Sequence, residues 1–263
     1  MNPDRNTPAV NRRRLAWAAA TIGFALSGFF DGILLHQVLQ WHHLFSLVPG
    51  EQWADIRNQI LMDGWFHVLH YAIAAAGLWL LWRARGGFSA PGADRRLLGA
   101  ALLGFSAWQF VDVVLFHWAL MIHRIRVGVP NPLAYDLGWL FAFGVTTLAA
   151  GLWLWRGGGN GQGRGAAAGL AALVLLAGPV AALPAPASAT LVLFPARTDP
   201  AQALAAAAVP GARILWASPD GGMVAVAAQP SGQWRQAMQL YARGALLVSS
   251  TPVLGGCLGW LRA

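Results

Sequence analysis

The 263-residue chain is 57% hydrophobic and only 11% charged, against about 25% charged residues in an ordinary soluble domain, and its apolar residues fall in long runs; together these exclude a soluble globule. All 18 basic residues are arginine, and the formal net charge is +8. The single cysteine, Cys257, excludes an internal disulfide framework and a cysteine-cluster metal site, so any metal must be held by His, Asp or Glu.

Residues 1–14 form a polar, arginine-bearing N-terminus. Five apolar segments then reach the roughly 20 residues that a helix needs to cross a hydrocarbon core: Leu15 to about Leu44, Ile60 to Trp82, Leu97 to about Ile122, Leu137 to Trp155, and Ala166 to Leu183. The first and third exceed a perpendicular span and should tilt or project. Ten arginines lie in the N-terminus and in the second and fourth connections; the first and third connections hold Arg57, Arg124 and Arg126. The positive-inside rule then makes the N-terminus cytoplasmic and the end of the fifth span external. The basicity is a topology signal, so nucleic acid is not an expected partner.

Four spans within 15–157 predict a four-helix bundle in an all-α polytopic membrane protein. A Gly-rich linker (158–165) follows, then a fifth transmembrane helix or signal-like anchor (166–184). LPAPASA, with Ala187-Ser188-Ala189, has the small-x-small form of a signal-peptidase site, although an uncleaved anchor is the plainer reading. Residues 190–263 read as a periplasmic α+β domain. The runs TLVLFP, DPAQALAAAA, ARILWAS, GMVAVAA, GQWRQAMQLYARG and ALLVSS give the ferredoxin-like order β-α-β-β-α-β. One cysteine cannot hold an iron–sulfur cluster; Cys257, between glycines, is either a lone structural residue or a thiol offered to a partner or metal.

The membrane part repeats itself. Gly23-Phe24, Asp31, His36 and His42 match Gly104-Phe105, Asp112, His117 and His123 at a constant offset of 81, as GF-x6-D-x4-H-x5-H. The second and fourth spans match more loosely, which gives two parallel helical hairpins. All seven histidines lie in or at the outer ends of the first three spans, and ionisable groups there are functional hypotheses by default.

On an α-helix turning about 100° per residue, Asp63, His67 and His70 share one face. His36 and His43 share a face of the first span, with Asp31 and His42 about 120–140° round it. Helical geometry therefore predicts a metal layer of His36, His67, His70 and His117 with Asp63. His42, His43, His123 and Asp136 lie at an outer rim as second-site candidates. Asp31 and Asp112 lie deeper, as acceptors for ligating imidazoles or proton carriers. Span four offers Phe141 and Gly144 where span two has its histidines, so one principal centre per chain, or one coupled pair, is expected, with an open position. The bland alternative is interhelical hydrogen bonding alone. Imidazole suits several transition metals; copper is favoured over iron or zinc, and haem b is a further candidate that leaves the carboxylates and His42-His43 without a task.

GFFDGILLHQVLQWHHL, then DGWFHVLHY and VDVVLFHWALMIHRI, resemble the bacterial membrane family called domain of unknown function 2243, over about residues 15–157 and not the C-terminal domain. The resemblance implies a four-helix inner-membrane protein without an established activity. Through relatives encoded beside copper-oxidase assembly membrane proteins, it points to copper. Three readings stand: copper handling or respiratory oxidase assembly, with the outer domain docking an oxidase or metal-delivery protein; a membrane oxidoreductase using copper, di-iron or haem b; and a small proton- or metal-coupled transporter. Self-association is left open. No P-loop, nucleophile elbow, HExxH or dinucleotide fingerprint is present.

Overall fold

The computed structural model describes residues 8–39, 41–182, 189–195, 198–210, 212–227 and 233–249. Cys257 and the Ala187-Ser188 pair lie outside the described residues. The protein is mostly helical, with five helices long and apolar enough to cross a membrane: Arg12–Val38, Asn58–Arg83, Ala93–Ala119, Pro132–Arg156 and Arg164–Ala181.

The first span is α1 (Pro8–Asp31) running into a π-helical segment, Gly32–Val38. A one-turn helix α2 (Glu51–Ala54) precedes α3 (Ile56–Arg83), the second span. The third is α4 (Ala93–Phe110), again continued as a π-helix, Val111–Ala119. The fourth is α5 (Pro132–Trp139), a π-helical segment Leu140–Val145, and α6 (Thr146–Arg156). The fifth is α7 (Arg164–Ala182). Helix thus stops at Val38 and Ala119, short of the expected Leu44 and Ile122, because each chain leaves its helix through the widened π turn. His42, His43 and His123 consequently sit on loops that fold back over the helix ends.

Helix α1 is central, with Leu15, Ala18, Ala19, Ile22, Ala25 and Phe29 all buried. Its closest neighbour is α4. A Cβ on Gly23 would collide with the Ala101 carbonyl oxygen, and one on Gly104 with the Ala20 carbonyl oxygen, so both crossings need glycine. Small residues at such crossings let backbones approach within van der Waals contact, which drives helix association in lipid. The outward faces carry Leu69, Trp79, Phe141, Trp153, Leu173 and Leu176, all exposed; in a membrane protein these side chains meet the lipid. Helix α7 is tied to the bundle near its C-terminal end: Tyr71 Oη donates to the Gly178 carbonyl at 2.7 Å and Gln37 Nε2 to that of Ala181, a last-turn carbonyl without a helical partner, at 2.8 Å.

Beyond α7 lies a small antiparallel sheet of β1 (Ala189–Leu193), β2 (Ile214–Ala217), β3 (Met223–Ala227) and β4 (Leu247–Ser249), in the order β2-β3-β1-β4. Val192 pairs with Val224 on one side and Val248 on the other. These valines face α8 (Pro200–Ala207) and α9 (Gln233–Ala242), burying Ala203, Ala207 and Leu240 between the layers. The alternate residues Leu191 and Leu193 point to the opposite face and pack with Ile60, in the first turns of α3. Period-2 alternation along β1 therefore fixes which face meets the helices and which meets the membrane bundle.

Candidate metal centre

The π turns decide the geometry of the buried polar cluster. In each, an N–H reaches back five residues: Leu39 N to Leu34 O at 2.8 Å, and Leu120 N to Leu115 O at 2.8 Å. The following turn is wider still, with Trp41 N on Leu35 O and Ile122 N on Phe116 O, both 3.0 Å. In an α-helix, residues five apart diverge by about 140°; i→i+5 bonding brings them onto one face. Asp31 and His36 are five apart, as are Asp112 and His117.

Two triplets result. Asp31, His36 and His42 bring one ligating atom each within 4.8 Å of one another, and Asp112, His117 and His123 do the same. All six are buried, none more than 3% exposed. The triplets abut: His42 and His123 stack with centroids 4.5 Å apart and planes 12° from parallel, while His36 lies 4.6 Å from His42 and His117 4.7 Å from His123.

Three of the four imidazoles have Nδ1 in a hydrogen bond. His42 Nδ1 donates to the Ile125 carbonyl at 3.0 Å and His123 Nδ1 to the Leu44 carbonyl at 2.9 Å. His117 Nδ1 donates to Asp136 Oδ1 at 3.0 Å, whereas His36 Nδ1 lies within ion-pair distance of Asp63 Oδ1, at 3.0 Å, without hydrogen-bond geometry. The carboxylates behind them are held in turn. Asp63 accepts from Leu44 N at 2.8 Å and from His43 Nδ1 at 2.6 Å. Asp136 accepts from Ile125 N at 3.1 Å, Trp118 Nε1 at 3.1 Å and Arg124 Nη1 at 2.7 Å.

In a neutral imidazole whose Nδ1 donates, Nε2 carries the lone pair. The Nε2 atoms of His36, His42 and His117 are buried without a hydrogen-bond partner, as are Asp31 Oδ1 and Asp112 Oδ2. His117 Nε2 lies 3.1 Å from Asp112 Oδ2, and His123 Nε2 3.1 Å from Asp112 Oδ1. Lone pairs aimed at a buried carboxylate repel unless a cation lies between them; a proton can serve one such contact, and a metal ion serves all three donors at once. Burial pushes the His42 imidazole well below its ordinary value, with His123 and His36 adding to the effect. Burial also lowers His123, against the opposing pull of Asp112. Both shifts favour the neutral imidazole, the form that ligates metal.

The set brought together differs from the α-helical expectation. Asp31 and Asp112, expected beneath the site, stand in the triplets, and so do the rim residues His42 and His123. Asp63, expected among the ligands, stands behind His36, and Asp136 behind His117; His43 is on Asp63. His67 and His70 are set apart from the triplets: His67 Nε2 is 3.1 Å from Gln37 Nε2, and His70 Nδ1 donates to the Phe66 carbonyl at 2.9 Å. The Phe66 ring separates His70 from His36, at 4.4 and 5.1 Å. The physical reason for the difference is the π turn. Residues not singled out from sequence also take part: Trp108 Nε1 reaches Asp31 Oδ2 at 3.4 Å, and Leu44 and Ile125 supply both carbonyl and N–H. Their signal was available, since Leu44 and Ile125 are themselves 81 apart.

No curated protein and no solved structure matches the chain. One family model does, that of the predicted membrane protein DUF2243, over residues 18–158, more than half of the chain. This span contains both triplets and the two carboxylates behind them, so the buried His/Asp cluster lies wholly within a chain that belongs to the DUF2243 family of predicted membrane proteins.

Proposed function

We propose that this is a metal-binding protein of the bacterial inner membrane, in which Asp31, His36 and His42 hold one transition-metal ion and Asp112, His117 and His123 hold a second. The observation that carries the reading is the set of buried, unpartnered Nε2 atoms facing carboxylate oxygens in both triplets. Asp63 and Asp136 orient the His36 and His117 rings, as acceptors behind metal-bound histidines commonly do. His67 and His70 are then neighbours of the centre and not ligands.

In this reading residues 1–14 are cytoplasmic, 15–157 form the His/Asp domain, 158–165 are a linker, 166–184 a fifth span, and 190–263 a periplasmic domain. The sheet order β2-β3-β1-β4, with every pair antiparallel, supports a ferredoxin-like fold for the last. A parallel repeat of two hairpins is supported by reciprocal contacts 81 residues apart: Gly23 with Ala101 and Gly104 with Ala20, His42 with Ile125 and His123 with Leu44.

The donors are imidazole and carboxylate without sulfur, which suits a divalent ion. At such sites copper(II) binds more tightly than the other first-row metals, so copper is the proposed ion and copper handling for respiratory oxidase assembly the proposed role. An oxidoreductase is favoured as a second reading by one observation: two His and one carboxylate per triplet leave coordination positions open, as in non-haem iron oxygenases. Rings packed 4.5 to 4.7 Å apart leave no room for haem b between them. The transporter reading draws on the repeat alone.

The test is elemental analysis of protein purified from copper-, iron- and zinc-replete cells. The wild type is expected to retain a transition metal, and His36→Ala/His42→Ala combined with His117→Ala/His123→Ala to lose it while still inserting in the membrane. A wild type free of metal, or equal metal in both proteins, overturns the reading.

A further inference from the structure

The loops that carry His42 and His123 are tied to each other and not only to their own helices. His42, of the first triplet, is held by the carbonyl of Ile125, on the loop of the second; His123, of the second, is held by the carbonyl of Leu44, on the loop of the first. The same two residues give their N–H groups to the carboxylates behind the other ligands, Leu44 to Asp63 and Ile125 to Asp136. Two backbone bonds complete the tie, Leu47 N to Ile122 O at 2.9 Å and Val127 N to Trp41 O at 3.1 Å. At the centre the His42 and His123 rings stack. Fixing His42 on an ion therefore also fixes the Ile125 segment that orients His117 through Asp136, and fixing His123 likewise orders the Leu44 segment behind His36.

We propose that the two triplets are one cooperative dinuclear centre, in which an ion bound at either triplet raises the affinity of the other. The inference rests on the metal-binding reading above and adds to it the number of ions and the coupling between them. The physical basis is entropic. An ion that fixes one loop histidine restrains, through Leu44 or Ile125, the carboxylate behind a ligand of the other triplet, so the second ion meets a more restrained site, a form of cooperativity that needs no change of shape. Linkage requires the effect to be equal in both directions.

Full-length protein in detergent, stripped with a chelator, is titrated with cobalt(II) and followed by its visible d–d absorption. Two ions per chain are expected, taken up with a Hill coefficient above 1. Asp31→Asn and Asp112→Asn each remove one carboxylate ligand and leave in place the histidine–carbonyl and backbone bonds that make the tie. Each variant is expected to bind a single ion, with affinity lowered about fivefold or more relative to wild type, and by a similar factor in both, as is typical of allosteric coupling. Two ions taken up independently, with the remaining site of each variant at wild-type affinity, overturn the cooperativity and leave the metal-binding reading intact. A single ion in the wild type overturns the dinuclear centre. No ion at all overturns both readings.

Discussion

Asp63 and Asp136 each occupy a position where a carboxylate does two things: it sits 3.0 Å from a histidine Nδ1, and it accepts the N–H of a residue on the loop over the site. An amide can replace the second interaction but offers a weaker, neutral acceptor to the first. Loss of an acceptor behind a metal-bound histidine typically costs about 10–100-fold in metal affinity. Asp63→Asn and Asp136→Asn are therefore expected to weaken metal binding by a factor in that range without abolishing it, measured by competition with a chromophoric chelator. Unchanged affinity in both variants would mean that these carboxylates only staple the loops. The placement of Asp31 in a triplet and of Asp63 behind His36 turns on one local fact, the i→i+5 turn between Asp31 and His36, which an α-helical wheel does not contain. The spacing D-x4-H-x5-H was legible in the residues; its meaning was not, because π-helix is rare and carries no signature of its own in composition.

At the scale of elements, the α1–α4 crossing makes the centre possible, since it fixes the register in which the two π segments face each other. Gly23 and Gly104 sit at that crossing, each against a backbone carbonyl that cannot rotate away. Gly64 and Gly138 have nothing within 4 Å of where a Cβ would stand. Alanine favours helix over glycine by roughly 0.5–1 kcal/mol, so the sign of the change should separate the two classes. Gly23→Ala and Gly104→Ala are expected to lower the thermal midpoint in detergent and to lower metal retention with it, because the helices must part. Gly64→Ala and Gly138→Ala should leave the midpoint unchanged or raised. A fall of equal size in all four would refute the close crossing. The five spans themselves were readable from apolar length, and the strands from β-branched runs between Gly and Pro. What sequence could not give was where helix ends: Gln40, His42 and His43 make the stretch from Leu39 to Leu44 polar, yet a polar stretch continues a helix beyond the lipid as readily as it ends one, and no Gly or Pro marks the turn that releases His42 and His43 onto a loop.

For the whole molecule, orientation joins the membrane domain to the C-terminal sheet. Leu191 and Leu193 of β1 pack with Ile60, three residues before Asp63 on the same helix, so the sheet and the His/Asp cluster lie at one end of the bundle. The arginine-rich segments lie at the other: Arg12 and Arg96 line one cavity with Gly86, Gly87, Gly157 and Gly158, from the second and fourth connections. By the positive-inside rule that end is expected in the cytoplasm, which would turn the His/Asp cluster outward. Whichever side the sheet occupies, the centre must share it, so a single topology experiment tests both. An alkaline phosphatase fused after Ala263 is expected to be active. A membrane-impermeant chelator added to spheroplasts is expected to strip the metal, while the same chelator outside inverted vesicles is expected to leave it bound. An inactive fusion together with stripping from inverted vesicles would reverse the orientation and keep the architecture. An active fusion with metal accessible only from the cytoplasmic side would separate the sheet from the site and contradict the packing of β1 against α3.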